Sequence, residues 1–161
     1  MQFSHLHNHS QFSLLDGASK ISSMFKKAKE DNMPAVAITD HGNMFGVFQF
    51  VAEAGKHGVK PIVGCEFYLV TDRHKQVFTK ELKDKRYHQL FLAKNPEGYQ
   101  NLIKLCSLGF MEGMYSKYPR IDKELVLKYH KGLIATTCCL GASVPQAILR
   151  SGEDEAEKEF K

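Results

Sequence analysis

Residues 35–41, Ala-Val-Ala-Ile-Thr-Asp-His, join a continuous apolar run to two polar side chains that could carry chemistry. A run of this kind is typical of a short strand that is buried on both faces in a parallel sheet. Upstream, apolar residues recur at helical spacing over residues 21–28, and Asn32-Met33-Pro34 ends that helix. The stretch therefore predicts a helix followed by a buried strand, which is the repeating unit of an α/β protein.

The same alternation of strand and helix extends over the rest of the chain. Four further strands are predicted over residues 3–9, 60–70, 87–93 and 133–136. Four further helices are predicted to begin near residues 45, 96, 122 and 142. Residues 72–85 are highly charged and predict a loop or an exposed hairpin, whereas residues 152–161 begin one more helix. Five strand–helix units predict an open doubly wound sheet or a βα barrel.

The composition sets broad limits on the kind of protein. Hydrophobic residues make up 43% of the 161 positions and charged residues 25%, which is ordinary for one globular domain or part of a larger one. No apolar run approaches the length of about eighteen residues typical of a membrane span, and the N-terminus lacks the layout of a signal peptide. We therefore expect a cytoplasmic protein without a membrane partner, whose cysteines stay reduced. The net charge of +4 favours an anionic partner only weakly.

Candidate metal ligands accompany all five predicted strands. Because the active sites of α/β proteins lie at the carboxyl ends of parallel strands, we expect these side chains to meet at one rim. They are His5, His7 and His9, then Asp40 and His41, then Glu66, then His88, and finally Cys138 and Cys139. Residues two apart on a strand point to the same side, so His7 could share an ion with His5 or with His9. Asp16 could turn back to this rim from its loop, or could simply form an Asp-Gly turn.

The mixture of imidazole, carboxylate and thiolate groups suits zinc, manganese or iron better than magnesium or calcium. Glu66 has two carboxylate oxygens and could bridge two ions, and paired ions can activate water for phosphoryl transfer. The pattern therefore predicts a hydrolytic centre with several metals.

Single residues also have structural interpretations. Asp40 and His41 could form only a helix cap and turn, His88 could be a core histidine, and Cys139 a small buried hydrophobe. A basic and aromatic stretch, with Lys117 and Arg120 beside Tyr115 and Tyr118, could meet phosphate or form a flexible surface loop.

Several motifs resemble the polymerase and histidinol phosphatase (PHP) family. They are His7-Asn8-His9-Ser10, Asp16-Gly17, Thr39-Asp40-His41-Gly42-Asn43 and Gly64-Cys65-Glu66. Within that family, residues 13–18, 42–46, 87–88, 92–95 and 119–122 are similar to the PHP domain of bacterial replicative DNA polymerases.

The resemblance implies a fold, a ligand set and a metal content. The fold would be a distorted (β/α)7 barrel, and the site would hold up to three divalent ions such as zinc or manganese. The family's ligand pattern maps onto His7, His9, Asp16, His41, Glu66, His88 and Cys139. Catalytic roles would fall to Asp40, His41 and Glu66, with Asp40 orienting its neighbour His41. The resemblance favours His9 over His5 as the partner of His7, and Cys139 over Cys138.

The resemblance also implies that residues 1–161 are the N-terminal portion of a PHP domain, with about five of its seven strand–helix units. The family's last motif, an Asp-x-His on a later strand, is absent. The parent protein would be a DNA-directed DNA polymerase, a nucleotidyltransferase of the cytoplasm, with DNA and other polymerase subunits as partners. The domain would supply a metal-dependent 3′–5′ exonuclease, although the 161 residues alone should be inactive and could self-associate through open barrel edges. The alternatives are a free-standing phosphatase for a small ester such as histidinol phosphate, and a non-catalytic structural module.

Overall fold

The computed structural model describes residues 3–160, which form six helices and six strands in a mixed α/β fold. In chain order the elements are α1 (Ile21–Glu30), β1 (Ala35–Ile38), α2 (Val47–His57), β2 (Lys60–Val70), β3 (Tyr87–Ala93), α3 (Pro96–Glu112), β4 (Met114–Tyr115), β5 (Tyr118–Asp122), α4 (Lys123–Tyr129), β6 (Leu133–Ala135), α5 (Ser143–Ser151) and α6 (Glu153–Phe160). The predicted α/β class is confirmed, and every predicted helix has its counterpart. Along residues 3–160, no helix combines the length and apolar character that crossing a bilayer requires.

The eleven-residue strand β2 is the centre of the sheet. Its first half pairs in parallel with β1, and its last three residues pair in parallel with β5. Along its other edge it pairs with β3 in the antiparallel sense. The order is β4-β5-β2-β3-β6, with β1 beside β2 on the same edge as β5. All four residues of β1 are buried, as the apolar run at residues 35–38 predicts.

The sheet is mixed, which corrects the expectation of successive parallel strands. Strand β3 runs antiparallel to β2, and β6 runs antiparallel to β3. A parallel neighbour needs a crossover connection, usually a helix, whereas an antiparallel neighbour can follow a loop. Residues 71–86 join β2 to β3 without a helix or strand, so the chain returns beside β2 in the opposite direction.

Residues 3–9 lie along β1 but do not form the predicted strand. The backbone N–H of Ala37 donates to the carbonyl of His5 at 3.1 Å, and that of Thr39 donates to the carbonyl of Asn8 at 2.9 Å. The two acceptors, His5 and Asn8, are three residues apart, whereas the two donors, Ala37 and Thr39, are two residues apart. The register between the two segments therefore shifts by one residue from the first bond to the second. A regular ladder cannot continue through such a shift.

Two apolar cores support the sheet. Helices α1 and α2 pack on β1 around Phe25 and Phe50, whose ring centroids lie 4.5 Å apart. Helix α3 packs on β2 and β5 through Leu102, Leu105 and Ile121, all of them fully buried. One core therefore supports β1, and the other supports β2 and β5.

Arg120 is fully buried, which corrects both sequence interpretations of its surroundings. Its guanidinium donates to the carbonyls of Gly113, Arg73 and Lys75 at 2.8–3.0 Å. The neighbouring Arg73 donates to both carboxylate oxygens of Asp122 at 2.8–2.9 Å. Because its hydrogen-bond donors are taken up inside the protein, Arg120 neither meets phosphate nor lies in a flexible surface loop.

Candidate metal centre

The carboxylate of Glu66, on β2, stands at the middle of the candidate site and is only 1% exposed. Three imidazoles approach it: His7 Nε2 at 2.6 Å, His9 Nε2 at 2.8 Å and His88 Nδ1 at 2.7 Å. Burial by itself would raise the pKa of Glu66, but hydrogen bonds from these three histidines hold that pKa well below its usual range. Glu66 is therefore an anion that offers two oxygens to the centre.

Asp16 turns back toward the histidines. This is the first of the two alternatives that the sequence left open for it. Its Oδ2 atom lies 3.5 Å from both His9 Nδ1 and His41 Nε2. The hydroxyl of Ser13 lies 2.9 Å from His9 Nδ1 and accepts the backbone N–H of His41 at 3.1 Å. This hydroxyl therefore joins the loop of Asp16 to the end of β1.

His41 carries an unused ring nitrogen that faces the centre. Its Nδ1 is the one buried side-chain nitrogen or oxygen without a hydrogen-bond partner in the part of the chain described, residues 3–160. It lies 3.6 Å from Glu66 Oε2. Burial lowers the pKa of His41, which keeps the ring neutral and its lone pair free. A buried polar atom left without a partner is costly, and a metal ion would satisfy it.

Two thiols complete the far side of the carboxylate. The Sγ atoms of Cys139 and Cys138 lie 3.4 and 3.5 Å from Glu66 Oε1, and Cys139 Sγ lies 3.3 Å from His88 Nδ1. Burial raises the pKa of both thiols, so both are protonated when no metal is bound. The family pattern favours Cys139 alone, whereas the geometry brings both sulfurs to the same oxygen.

His5 and Asp40 stand apart from this cluster. His5 is exposed and packs edge-on against Phe3, and the structure does not bring it into the cluster with His7. Asp40 is 1% exposed and accepts both the backbone N–H of Ser10 at 2.6 Å and its hydroxyl at 2.7 Å. Burial raises the pKa of Asp40, and these two bonds oppose that rise. Asp40 thus holds the segment around Ser10, and it belongs to none of the sets of converging donor atoms in residues 3–160.

Four sets of three side chains bring ligand atoms within 4.8 Å of one another. They are His7, His9 and Glu66; His9, Asp16 and His41; His41, Glu66 and His88; and Glu66, Cys138 and Cys139. Nitrogen, carboxylate and thiol donors in shared sets fit a cluster of zinc-like or manganese-like ions. The structure thus brings together all seven residues of the predicted ligand set, and it adds Cys138.

Strand direction explains how His88 reaches this site. In the antiparallel register Glu66 pairs with Leu90 and Tyr68 with His88, so these four residues share one face of the sheet. His88 stands near the beginning of β3, and the beginning of an antiparallel strand lies beside the later part of its neighbour. The structure thus brings His88 beside Glu66 through the antiparallel register, and not through the carboxyl-end rule on which the expectation was based.

An open cleft of about 1070 Å³ lies over the cluster. Asp16, His41, His88, Arg86 and Tyr118 are among the residues that line it. Further basic side chains around it are Lys83, Lys85, Lys117 and Arg150. The guanidinium of Arg86 stacks 3.8 Å from the ring centroid of Tyr118. Sequence reasoning missed Arg86, because it follows a charged loop and belongs to no ligand pattern.

The fold and the converging donors define an α/β protein with a candidate centre for several metals. The sequence model of the PHP domain matches residues 5–161, and the chain belongs to that family. It is homologous to the N-terminal region of DNA polymerase III subunit alpha.

Curated relatives include that subunit from three bacteria. The sequence is 47% identical to the Borreliella burgdorferi protein over 159 residues, which are 99% of this chain and 14% of the relative. It is 47% identical to the Thermus aquaticus protein over 160 residues, 98% of this chain and 13% of the relative. It is 50% identical to the Aquifex aeolicus protein over 143 residues, 86% of this chain and 12% of the relative. The chain therefore spans far less than two thirds of these relatives.

Two solved structures are similar at a low level. One, from Bifidobacterium adolescentis, is provisionally described as a metal-dependent phosphoesterase. Its TM-score is 0.48 and its sequence identity is 21%. The match covers 66% of this chain and 32% of that chain. The other is an amidohydrolase from Chromobacterium violaceum, with a TM-score of 0.44 and 16% identity over 98% of this chain and 53% of that chain. Membership of the PHP family rests on the sequence matches and not on these structures.

Proposed function

We propose that the chain is the N-terminal portion of a metal-dependent phosphoesterase domain, whose reaction is hydrolysis of the 3′-terminal phosphodiester of DNA. The observation that carries this proposal is the buried Glu66 carboxylate, held within 2.8 Å of three imidazole nitrogens and beside the unpaired Nδ1 of His41. The metal ligands would be His7, His9, Asp16, His41, Glu66, His88 and Cys139. Their donor types favour zinc or manganese, with up to three ions in the complete domain.

Divalent ions held in such a centre lower the pKa of water and neutralise charge that develops on a phosphate. The chain's own residues would do the remaining work. Glu66 gathers the imidazoles into fixed positions, and His41 is kept neutral by burial. Asp40 holds Ser10, and through it the segment that carries His7 and His9, against the end of β1.

The cleft supports an anionic substrate with flat bases. The guanidinium of Arg86, which also pairs with Asp84, stacks on the ring of Tyr118 in the cleft that His41 and His88 line. A guanidinium can bind a phosphate oxygen, and an aromatic ring can stack on a base without regard to its sequence. Lys83, Lys85, Lys117 and Arg150 add positive charge around the same opening.

We further propose that the parent protein is a cytoplasmic DNA-directed DNA polymerase that works with DNA and with other subunits of a replicative assembly. Support comes from the relatives, which carry the name DNA polymerase III subunit alpha. The 161 residues alone should lack robust exonuclease activity, because the resemblance places two further ligands on later strands. Self-association of the chain through open sheet edges is a separate prediction, and mass measurement in solution tests it.

The first experiment measures the metal content of the chain after purification without chelator, beside a Glu66→Gln variant. We expect zinc, manganese or iron in the wild-type chain and a marked loss in the variant. Glu30→Gln, at the exposed end of α1, is the matched control and should keep the wild-type content. A metal-free wild-type chain would favour the structural module, and an unchanged content in Glu66→Gln would remove Glu66 from the centre.

The second experiment uses the full-length protein that carries this sequence and a 3′-labelled single-stranded oligonucleotide. We expect removal of 3′ nucleotides that EDTA abolishes and Glu66→Gln suppresses. Activity that EDTA does not change would contradict the proposal. Hydrolysis of histidinol phosphate without action on the oligonucleotide would favour the free-standing phosphatase instead.

A further inference from the structure

Cys138 and Cys139 are neighbours in sequence, yet their sulfur atoms reach the same carboxylate oxygen. Successive side chains of an extended segment point in opposite directions, so two adjacent cysteines ordinarily cannot face one point. Here the sulfur of Cys138 lies 3.5 Å, and that of Cys139 3.4 Å, from Glu66 Oε1. A departure from extended backbone between the two residues is therefore required.

The backbone of Cys138 supplies that departure. Its φ angle is +58°, in the left-handed region that residues with a side chain rarely adopt. The conformation is held from both sides, since the N–H of Cys138 donates to Thr136 Oγ1 at 3.1 Å and the N–H of Ala142 donates to the Cys139 carbonyl at 3.0 Å. Strain of this kind persists where the surroundings impose it, and it is common at functional sites.

The turn is also built against His88. The backbone N–H of His88 donates to the carbonyl of Gly141 at 3.0 Å. A Cβ atom added to Gly141 would lie 2.9 Å from His88 Nδ1, so only glycine allows the turn to come this close. The same nitrogen lies 3.3 Å from Cys139 Sγ and 2.7 Å from Glu66 Oε1. Cys139 Sγ, His88 Nδ1 and Glu66 Oε1 thus lie within 3.4 Å of one another, and Cys138 Sγ lies 3.5 Å from the same oxygen.

We propose that Cys138 is a second sulfur ligand, and that Cys138, Cys139, His88 and Glu66 form a zinc-selective corner of the centre. Four donors of nitrogen, sulfur and oxygen type make a donor set that zinc commonly takes, whereas manganese prefers oxygen donors. Each thiol releases its proton to solvent as its sulfur binds the ion. This inference rests on the metal centre proposed above, and it adds a ligand and a metal preference to it.

The test counts sulfur ligands by spectroscopy. Co²⁺ is loaded into the chelator-treated chain, because sulfur bound to Co²⁺ gives a charge-transfer absorption in the near ultraviolet whose intensity increases with the number of sulfurs. The variants are Cys138→Ser and Cys139→Ser, with Cys106→Ser as the matched control. Cys106 is on α3, where its thiol donates to the Gly42 carbonyl at 3.6 Å and lies outside the four sets of donor side chains.

We expect each of Cys138→Ser and Cys139→Ser to remove about half of the absorption, and Cys106→Ser to leave it unchanged. Cys138→Ser should also weaken Zn²⁺ binding by about tenfold or more while leaving Mn²⁺ binding nearly unchanged. If Cys138→Ser fails to fold, Cys138→Gly replaces it, because glycine accepts a positive φ without strain.

The outcomes separate this inference from the proposed function. Full absorption in the Cys138 variant, with none in Cys139→Ser, would show a single sulfur ligand and make Cys138 a small buried hydrophobe. Equal loss of Zn²⁺ and Mn²⁺ affinity in the Cys138 variant would overturn the zinc preference. A wild-type chain that binds neither Co²⁺ nor Zn²⁺ would overturn the metal centre itself, and this inference with it.

Discussion

Replacing Glu66 by glutamine preserves the shape of the side chain and removes its charge, so it isolates the charge at the centre of the site. In the metal-free protein that charge faces His7 Nε2 at 2.6 Å and His9 Nε2 at 2.8 Å. The hydrogen bond with Glu66 raises the pKa of His7 above its ordinary value of 6.5, despite partial burial. The variant therefore tests how much of the stability comes from paired charges.

The pH window follows from the directions of the two shifts. The contribution of His7, whose pKa is raised on folding, is fully present below pH 6.5 and is lost as the pH rises through the raised value. The contribution of Glu66, whose pKa is lowered, is present above its ordinary value of 4.5 and is lost as the pH falls below it. The advantage of the wild type over Glu66→Gln should thus be largest between pH 4.5 and 6.5.

The size of the effect follows from burial. Removing one charge of a buried pair costs about 3–5 kcal/mol, and the lower figure applies because the His7 side chain is 28% exposed. We expect a loss of about 3 kcal/mol at pH 5.5. Toward pH 9 the charge on His7 declines as the pH rises through its raised pKa, and once that charge is lost only the difference between hydrogen bonds remains, about 1 kcal/mol. For a chain of this size these values correspond to falls in melting temperature of about 6–12 °C and 2–4 °C.

The assay is thermal and urea unfolding with EDTA present, at pH 5.5 and pH 9, for the wild type, Glu66→Gln and the control Glu30→Gln. The control should stay within about 0.5 kcal/mol of the wild type at both pH values. A cost that is the same at both pH values, or a Glu66→Gln variant more stable than the wild type at pH 5.5, would refute the charge-pair reasoning.

Three further changes test other parts of the structure. Asp122→Asn removes the carboxylate that Arg73 holds at 2.8 Å, and should lower the free energy of urea unfolding at pH 7 by about 3 kcal/mol. Burial would raise the pKa of Asp122, but the hydrogen bonds from Leu125 and Arg73 keep it below the ordinary 3.8. The difference in unfolding free energy between the wild type and Asp122→Asn should therefore close as the pH falls below 3.8. A difference that stays constant with pH would contradict this. Leu15→Gly, at an exposed position with φ +65°, should raise the unfolding free energy by about 0.5–1 kcal/mol, and a loss would show that the backbone there is not strained. Arg86→Ala in the full-length protein should raise the KM for an oligonucleotide about tenfold with little change in kcat, and an unchanged KM would remove Arg86 from substrate binding.

Local pattern predicted the elements better than it predicted their arrangement. The apolar run at residues 35–38 is a strand buried on both faces, and Asp122 caps α4 by accepting the N–H of Leu125. Both features depend on a few neighbouring residues. Residues 3–9 are predicted to form a strand but form none, because pairing depends on the partner, and the bonds to β1 shift register.

The donor types of the candidate site were likewise visible in the sequence, whereas their geometry was not. The motifs around His7, His41 and Glu66 contain side chains that bind metals, because the ability of an imidazole or a carboxylate to bind a metal is a property of the residue itself. The orphaned Nδ1 of His41 arises from burial by the surrounding chain, and no motif contains that information.

The sequence by itself determined the α/β class, the helices and the kinds of ligand, because spacing and side-chain chemistry are properties of short segments. The tertiary structure decided that β3 runs antiparallel, so that His88 reaches Glu66 from the beginning of its strand. It also decided that both Cys138 and Cys139 face one oxygen, through the left-handed backbone at Cys138. Strand direction and an imposed φ depend on contacts between residues far apart in the chain, and those contacts exist only once it is folded.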